Sequence, residues 1–96
     1  MSRHPLFKFC LYVADDAPNS AEAIANLAAF CRAHLQNRYE IEIVDVYREP
    51  KRALAESIFM TPTLVVRTPP PVRRIVGALS HVQSLLLTLG LPGITQ

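Results

Sequence analysis

The stretch that most constrains the fold spans residues 60–74 and reads MTPTLVVRTPPPVRR. Within it, residues 63–66 form a run of β-branched and apolar side chains that is typical of a buried strand. Pro62 stands at the entrance of that strand, where a residue without an N–H group either marks an edge or forms a cis bond. The prolines at 69–71 then turn the chain towards the basic pair at 73–74. The sequence therefore predicts a strand, a turn and a second short strand here.

The pattern before this stretch predicts a strand, a helix and a second strand. Residues 7–13, FKFCLYV, suit a strand that is buried on both faces. Asn19 or Ser20, followed by Glu22, predicts a capping box at the start of the helix. Residues 39–46 alternate and then become continuously apolar, which predicts the second strand. The buried face of the helix is predicted from apolar residues at helical spacing: Ile24, Leu27, Ala28, Cys31 and Leu35.

Two more helices are predicted in the second half of the chain. Pro50 suits the first turn of a short helix, which would end before Pro62. Gly77 permits a bulge or a positive φ angle after the fourth strand, and Ser80 is a candidate cap for the last helix. The predicted order is βαβαββα, an α/β fold in one domain over residues 1–96. The apolar faces are Ala53, Leu54, Ile58 and Phe59 in the first of these helices, and Val82, Leu85, Leu86 and Leu89 in the second.

Composition restricts the classes of function. Half of the residues are apolar, and the formal net charge is +2. After Glu56 there is no acidic side chain, but the few arginines there make no phosphate-binding stripe, so we expect no nucleic-acid partner. No apolar run is long enough to span a membrane, and residues 1–5 lack the hydrophobic region of a signal peptide. We therefore expect a cytoplasmic protein.

Catalytic patterns are also missing from the sequence. Cys10 and Cys31 lie far apart in apolar surroundings, so we expect both to be core residues. The three histidines share no metal-ligand spacing, and every glycine falls at or after Gly77, which leaves no phosphate loop. Asp45, at the end of the second strand, is expected to make a local polar contact. We expect a protein that is not an enzyme and has no cofactor or metal.

Two motifs give the chain a family resemblance. The TPTL block after a βαβα pattern resembles the thioredoxin family, in which a Thr-cis-Pro loop lies beside the active-site turn. The further blocks PPPVRR, IVG and LS at this spacing resemble the circadian clock protein KaiB family. The resemblance also includes LYVA at 11–14, PNS at 18–20, VDV at 44–46 and Pro50, and so covers about residues 7–90.

The resemblance implies a fold and a possible change of fold. It implies a thioredoxin-like βαβαββα arrangement in a monomeric state that binds the partner. It also implies a tetrameric ground state with the order βαββααβ, in which residues 50–96 refold. Isomerisation of X-Pro bonds is a candidate slow step in that change. The implied switching positions are Pro62, Pro69, Pro70, Pro71 and Gly77.

The family also implies a function without chemistry of its own. KaiB proteins bind the KaiC ATPase ring and help to sequester KaiA. The implied partners are therefore a KaiC-type ATPase, KaiA or a histidine kinase, and further copies of the chain. The exposed side chains of Phe30, Phe59 and Met60 are candidates for an oligomer interface. The implied partner-binding residues are Pro50, Lys51, Arg52, Arg73 and Arg74, with the last two expected to be exposed.

Two alternatives stay open at this stage. One is a sensor module like the N-terminal domain of the SasA histidine kinase, which resembles KaiB. The other is a thiol redox protein, which would need two cysteines where this chain has Asp16 and Asn19. Ala78 replaces the acid that cyanobacterial KaiB proteins usually carry, and we therefore expect a divergent, non-cyanobacterial type of member with a reduced clock.

Overall fold

A computed structural model describes residues 6–15 and 17–91 of the chain. The order of elements is βαβαββα, which confirms the order predicted from the sequence. Each predicted strand and helix is present; the bounds of the first and fourth strands agree with those predicted, and those of the other elements differ by a few residues. In chain order the elements are β1 (Phe7–Val13), α1 (Pro18–His34), β2 (Tyr39–Asp45), α2 (Pro50–Ala55), β3 (Thr63–Thr68), β4 (Arg73–Val76) and α3 (Val82–Thr88).

The four strands form one mixed sheet in the order β2-β1-β3-β4. Strand β1 pairs parallel with β2 and antiparallel with β3, and β3 pairs antiparallel with β4. Cys10 lies in register with Glu42 on one side and with Val65 on the other. Val65 in turn lies opposite Arg74. One row of side chains therefore runs across the whole sheet on the same face.

The larger apolar core lies between the sheet and the helices α1 and α3. Alternate side chains of β1 point to this face, because successive side chains in a strand point in opposite directions. Leu27 and Cys31 of α1 and Leu85 and Leu86 of α3 are buried against them. The strand residues of this core are Phe7, Phe9, Leu11, Val13, Leu64 and Val66.

A smaller core lies on the opposite face, under the short helix α2. Cys10 and Tyr12 of β1 are buried there together with Val44 and Val65. Ala53 of α2 and Ile58 cover only part of this face, because α2 has six residues. The remaining part of the face is therefore left to polar and charged side chains.

Both predicted helix caps are wrong. Helix α1 begins at Pro18, and Ala17 occupies the N-cap position without a side-chain hydrogen bond. The Ser20 hydroxyl instead accepts a hydrogen bond from the Ala14 N–H at 3.0 Å, so it stabilises the turn after β1. His81, not Ser80, is the N-cap residue of α3, and its side chain makes no capping hydrogen bond.

The burial of several side chains also differs from that predicted. Ile24 and Val82 were expected to face the core, but both are exposed. Leu54 and Phe59 are exposed as well, because Ala53 and Ile58 suffice to cover the small area beneath α2. Phe30, a candidate interface residue, is instead buried in the larger core, beside His34.

The described part of the chain contains three cis peptide bonds, which precede Pro62, Pro69 and Pro71. Since β3 is an inner strand, Pro62 does not mark an edge of the sheet. Gly77 has a φ angle of 119°, which agrees with the predicted positive φ angle. Among the described residues, no helix is long and apolar enough to cross a membrane.

Candidate partner-binding surface

Helix α2 is short and exposes one of its sides to solvent. Pro50 is tolerated in the first turn because the N–H groups there have no partner within the helix. Ala53 points to the sheet, whereas Lys51 is exposed and Leu54 is 71% exposed. Leu54 lies four residues after Pro50 and three residues after Lys51, so it shares one side of the helix with both.

Exposed aromatic side chains flank this side of the helix. Tyr47 precedes α2 and is 74% exposed, and Phe59 follows it and is 83% exposed. The Ile58 N–H donates to the Ala53 carbonyl at 2.8 Å, which folds the following loop against the end of the helix. We call the exposed side chains of Tyr47, Pro50, Lys51, Leu54 and Phe59 the α2 surface.

Arg52, predicted to bind a partner, is held by groups within the chain. Its Nη1 and Nη2 atoms donate to the two carboxylate oxygens of Glu42 at 2.6 and 3.0 Å. A carboxylate oxygen of Glu49 lies 3.5 Å from Nη1, and the Cys10 sulfur lies 3.9 Å from Nη2. The bidentate bond lowers the pKa of Glu42 and raises the pKa of Arg52. Arg52 therefore ties α2 to β2.

A second charged group lies next to this pair, above the smaller core. One carboxylate oxygen of Glu56 binds Nη2 of Arg67, and the other lies 4.0 Å from Nη2 of Arg74. Arg67 also donates to the Tyr12 hydroxyl at 3.2 Å. Burial raises the pKa of the Tyr12 hydroxyl, which stays protonated at neutral pH. One carboxylate is thus shared by two guanidinium groups.

The two arginines of the predicted basic pair make different contacts. Arg73 was expected to be exposed, but it is half-buried. Its Nη1 donates to the Thr88 carbonyl at 2.6 Å and its Nη2 to the Pro69 carbonyl at 2.9 Å. Arg73 therefore joins β4 to the end of α3. Arg74 is exposed on the opposite face, where it donates to the carbonyls of Glu56 and Ser57.

The predicted switching residues do not all lie together. Pro62 is buried, and its carbonyl accepts a hydrogen bond from the Gly77 N–H at 2.9 Å. This bond joins the start of β3 to the end of β4. Pro70 and Pro71 are exposed in the turn between those strands. Pro62 and Gly77 therefore lie at one end of the β3–β4 pair, and the three prolines at the other.

The two cysteines lie on opposite faces of the sheet. Cys10 belongs to the smaller core and Cys31 to the larger one, as expected for buried thiols, and both are free. Burial raises the pKa of Cys31 to about 12, so this thiol is protonated at neutral pH. Asn19 is exposed in the first turn of α1, whereas Asp16 lies outside the described residues. Neither side chain at the thioredoxin positions can carry out thiol chemistry.

Two further predictions concern Asp45 and the candidate metal ligands. The Asp45 carboxylate accepts a hydrogen bond from the Tyr47 N–H at 2.8 Å, which confirms the expected local contact. Within residues 6–15 and 17–91, no three His, Cys, Asp or Glu side chains form a group that could hold a metal ion.

Sequence analysis missed Glu42, Glu56 and Arg67. Glu40 and Glu42 alternate with apolar residues in β2, which indicated that they share a face. That alternation did not show that an arginine ten residues later would reach Glu42. Glu56 is the last acid before a basic half of the chain, but its position between two arginines depends on how β3 and β4 pair.

Comparisons with known proteins bear on the family. The model of the KaiB domain family matches residues 10–91. The chain is 42% identical to circadian clock protein KaiB3 of Synechocystis sp., over 82% of this chain and 78% of that protein. It is 38% identical to circadian clock oscillator protein KaiB of Prochlorococcus marinus, over 95% of this chain and 76% of that protein.

Solved structures agree on the fold. The N-terminal domain of Synechococcus elongatus SasA superposes with a TM-score of 0.73 at 17% identity, covering 99% of this chain and 94% of that one. Mitochondrial thioredoxin 3 of Saccharomyces cerevisiae gives a TM-score of 0.71 at 16% identity, covering 92% of this chain and 80% of that one. The fold is therefore thioredoxin-like, and with the matches above, the chain belongs to the KaiB family.

Proposed function

We propose that this chain is a non-catalytic regulator that docks on a KaiC-type ATPase in a circadian clock or a clock-like timing or stress-response system. Membership of the KaiB family over residues 10–91 carries the proposal. Relatives that are named circadian clock oscillator proteins support the timing role. The proposal places the chain in the cytoplasm, in contact with that ATPase.

The α2 surface is the proposed docking site. Leu54 and Phe59 supply exposed apolar area, and Tyr47 adds a second aromatic ring. Aromatic and aliphatic side chains of this kind form the centre of protein interfaces. Lys51 supplies a positive charge within the surface. Arg52 has a supporting role in this proposal, because its bonds to Glu42 fix the helix that presents Leu54.

The basic pair has two proposed roles. Arg74 is exposed, so its charge can steer an acidic partner towards the chain. Arg73 acts indirectly, because its guanidinium is bonded to the Thr88 and Pro69 carbonyls. Its contribution is to hold β4 and α3 in the thioredoxin-like arrangement.

A change of fold remains part of the proposal. Residues 50–96 would adopt the second, βαββααβ order in a homo-oligomer, with Pro62, Pro69, Pro70, Pro71 and Gly77 as the positions where the path of the chain changes. Two packings of one sequence can interconvert when they differ by only a few kcal/mol. KaiA and a histidine kinase are further proposed partners of the thioredoxin-like form.

A sensor module like the N-terminal domain of SasA is the alternative. The likeness to that domain supports the fold alone, because identity is 17%. The family match covers most of the chain and supports a KaiB-type regulator. Docking on a KaiC-type ATPase therefore takes precedence.

Co-migration on a sizing column tests the proposal. The chain is incubated for hours with the KaiC-type ATPase of its own host and ATP, and the mixture is then separated. We expect a complex that elutes before either protein alone. If the two proteins elute separately even at high concentration and after a day, the proposed function is wrong.

A further inference from the structure

Strand β4 is an edge of the sheet with a groove beside it. Within residues 6–15 and 17–91, it pairs with β3 on one side and with no strand on the other. The groove has a volume of about 390 Å³ and is lined by Ile75, Leu79, Ser84 and Leu85, among others. An edge strand with an adjacent apolar groove is the arrangement that recognises extended peptides by strand addition.

The pairing of β3 and β4 shows which backbone groups face outward. The Gly77 N–H donates to the Pro62 carbonyl at 2.9 Å, next to the pair Val76–Thr63. In antiparallel strands, pairs that exchange hydrogen bonds alternate with pairs that do not. The N–H and C=O groups of Arg74 and Val76 therefore point away from β3. Two residues of β4 can thus bond an added strand.

Apolar side chains lie on both faces of this edge. Ile75 and Leu85 line the groove on the face of the larger core. Val76 points to the other face and is 55% exposed. Met60 lies at the same end of the sheet, because its carbonyl accepts a bond from the Thr63 hydroxyl at 2.6 Å. An added strand would therefore meet apolar contacts with alternate side chains on each face.

The two edges of the sheet carry charges of opposite sign. Strand β2, the opposite edge, carries Glu40, Glu42 and Asp45 and no basic residue. Strand β4 carries two arginines and no acid. Near β4, the carboxylate of Glu56 lies between Arg67 and Arg74, while the Arg73 guanidinium donates to the neutral carbonyls of Thr88 and Pro69. The β4 edge is therefore positive and complements an acidic segment.

A second copy of the chain fits this edge less well. Antiparallel pairing of two β4 strands would bring the arginines of both copies together, and opposed like charges destabilise a strand pair. Pairing of β4 with the acidic β2 edge of another copy would be head-to-tail, so it would extend without limit unless it closed into a ring. The Glu42 carboxylate is also already bonded to Arg52.

We propose that the β4 edge and its groove bind an extended, acidic segment of a partner protein, which adds to the sheet beside Arg74 and Val76 and places an apolar side chain in the groove. The β4 edge and its groove include none of the residues of the α2 surface, and this proposal does not depend on the proposed docking on a KaiC-type ATPase.

The test uses a fluorescein-labelled peptide of about eight residues, the length of an ordinary strand, that alternates valine and aspartate. Its binding to the whole chain is followed by fluorescence anisotropy. We expect saturable binding that weakens at high salt, and roughly tenfold weaker binding when lysine replaces aspartate in the peptide. Amide resonances of residues 73–77 should shift in the complex.

Two variants separate the backbone contact from the groove. Val76→Pro removes an outward N–H group, whereas Val76→Thr keeps it at nearly the same side-chain volume. We expect Val76→Pro to bind the peptide roughly tenfold more weakly than Val76→Thr. Ser84→Phe fills the groove from an exposed helical position and should bind more weakly than Ser84→Ala, which leaves the groove open. Circular dichroism confirms that each variant is folded.

Several results would overturn the proposal. They are the absence of saturable binding at millimolar chain concentration, shifts confined to β2, and equal affinity for Ser84→Phe and Ser84→Ala. If the chain associates with itself in the absence of peptide, and Val76→Pro abolishes that association, then a second copy of the chain occupies the edge instead. Binding by the lysine peptide as tight as by the aspartate peptide would contradict the charge argument.

Discussion

Arg52 and Glu42 form a bidentate ion pair, with two nitrogen-to-oxygen distances of 2.6 and 3.0 Å. The pair joins α2 to the edge strand β2. Helix α2 has only six residues, and few of its side chains are buried beneath it. Tertiary contacts therefore have to hold so short a helix, because isolated helices of this length are unstable in water. The ion pair is one of those contacts.

Replacing Arg52 by Gln should raise the pKa of Glu42 towards its ordinary value of 4.5, because the bidentate bond from Arg52 is the main cause of its depression. NMR titration of the side-chain carboxyl measures this change. Lys51→Gln is the matched control and should leave the pKa of Glu42 depressed. An unchanged pKa of Glu42 in the Arg52→Gln variant would show that the pair is not formed in solution.

The same pair predicts a direction for stability against pH. Because the folded-state pKa of Glu42 is lowered, the pair stabilises the fold above the ordinary pKa of 4.5. This contribution is lost as the pH falls through the lowered, folded-state pKa. The difference in stability between the wild-type chain and Arg52→Gln should therefore be present at neutral pH and disappear in acid. Urea unfolding at several pH values measures it.

Arg73→Leu should lower the free energy of unfolding by about 1.5–3 kcal/mol, because it removes charge-assisted bonds to the Thr88 and Pro69 carbonyls. Arg48→Leu is the control, since the Arg48 side chain is 83% exposed and should contribute within about 0.5 kcal/mol. Chemical denaturation of both variants measures the difference. Equal stabilities would mean that Arg73 does not anchor α3.

Both thiols should react slowly with Ellman's reagent in the native chain. Cys10 and Cys31 are almost fully buried, and burial raises the pKa of Cys31 to about 12, so little thiolate is available. We expect both thiols to react rapidly after unfolding in urea. The Cys10→Ser and Cys31→Ser variants identify each contribution. Rapid reaction of Cys31 in the folded chain would contradict its position in the core.

The order and type of the helices and strands could be predicted from the sequence because they follow from the spacing of apolar residues. The alternation in β2 and the TPTL block predicted strands that the structure confirms. The start of α1 was predicted wrongly because Ser20 has two possible uses. Its hydroxyl can cap a helix or bind the preceding turn, and here it accepts a bond from the Ala14 N–H.

The contacts of the candidate residues were harder to predict than the elements that carry them. The positions of Pro50 and Lys51 on an exposed helix follow from local pattern and agree with the structure. The partners of Arg52 and Arg73 do not, because each bonds atoms contributed by another element. Such contacts depend on the packing of the whole chain. Phe30 was misplaced for the same reason, since its burial depends on how α1 lies on the sheet.

The most direct test of the central claim measures the affinity of the host's KaiC-type ATPase for the wild-type chain and for Leu54→Asp. Leu54 is 71% exposed on the α2 surface, so the substitution should leave the fold intact. Leu87→Asp is the matched control, because Leu87 is 67% exposed on α3. We expect Leu54→Asp to weaken binding about tenfold or more and Leu87→Asp to leave it unchanged. Equal affinities of wild type and Leu54→Asp would contradict docking through α2.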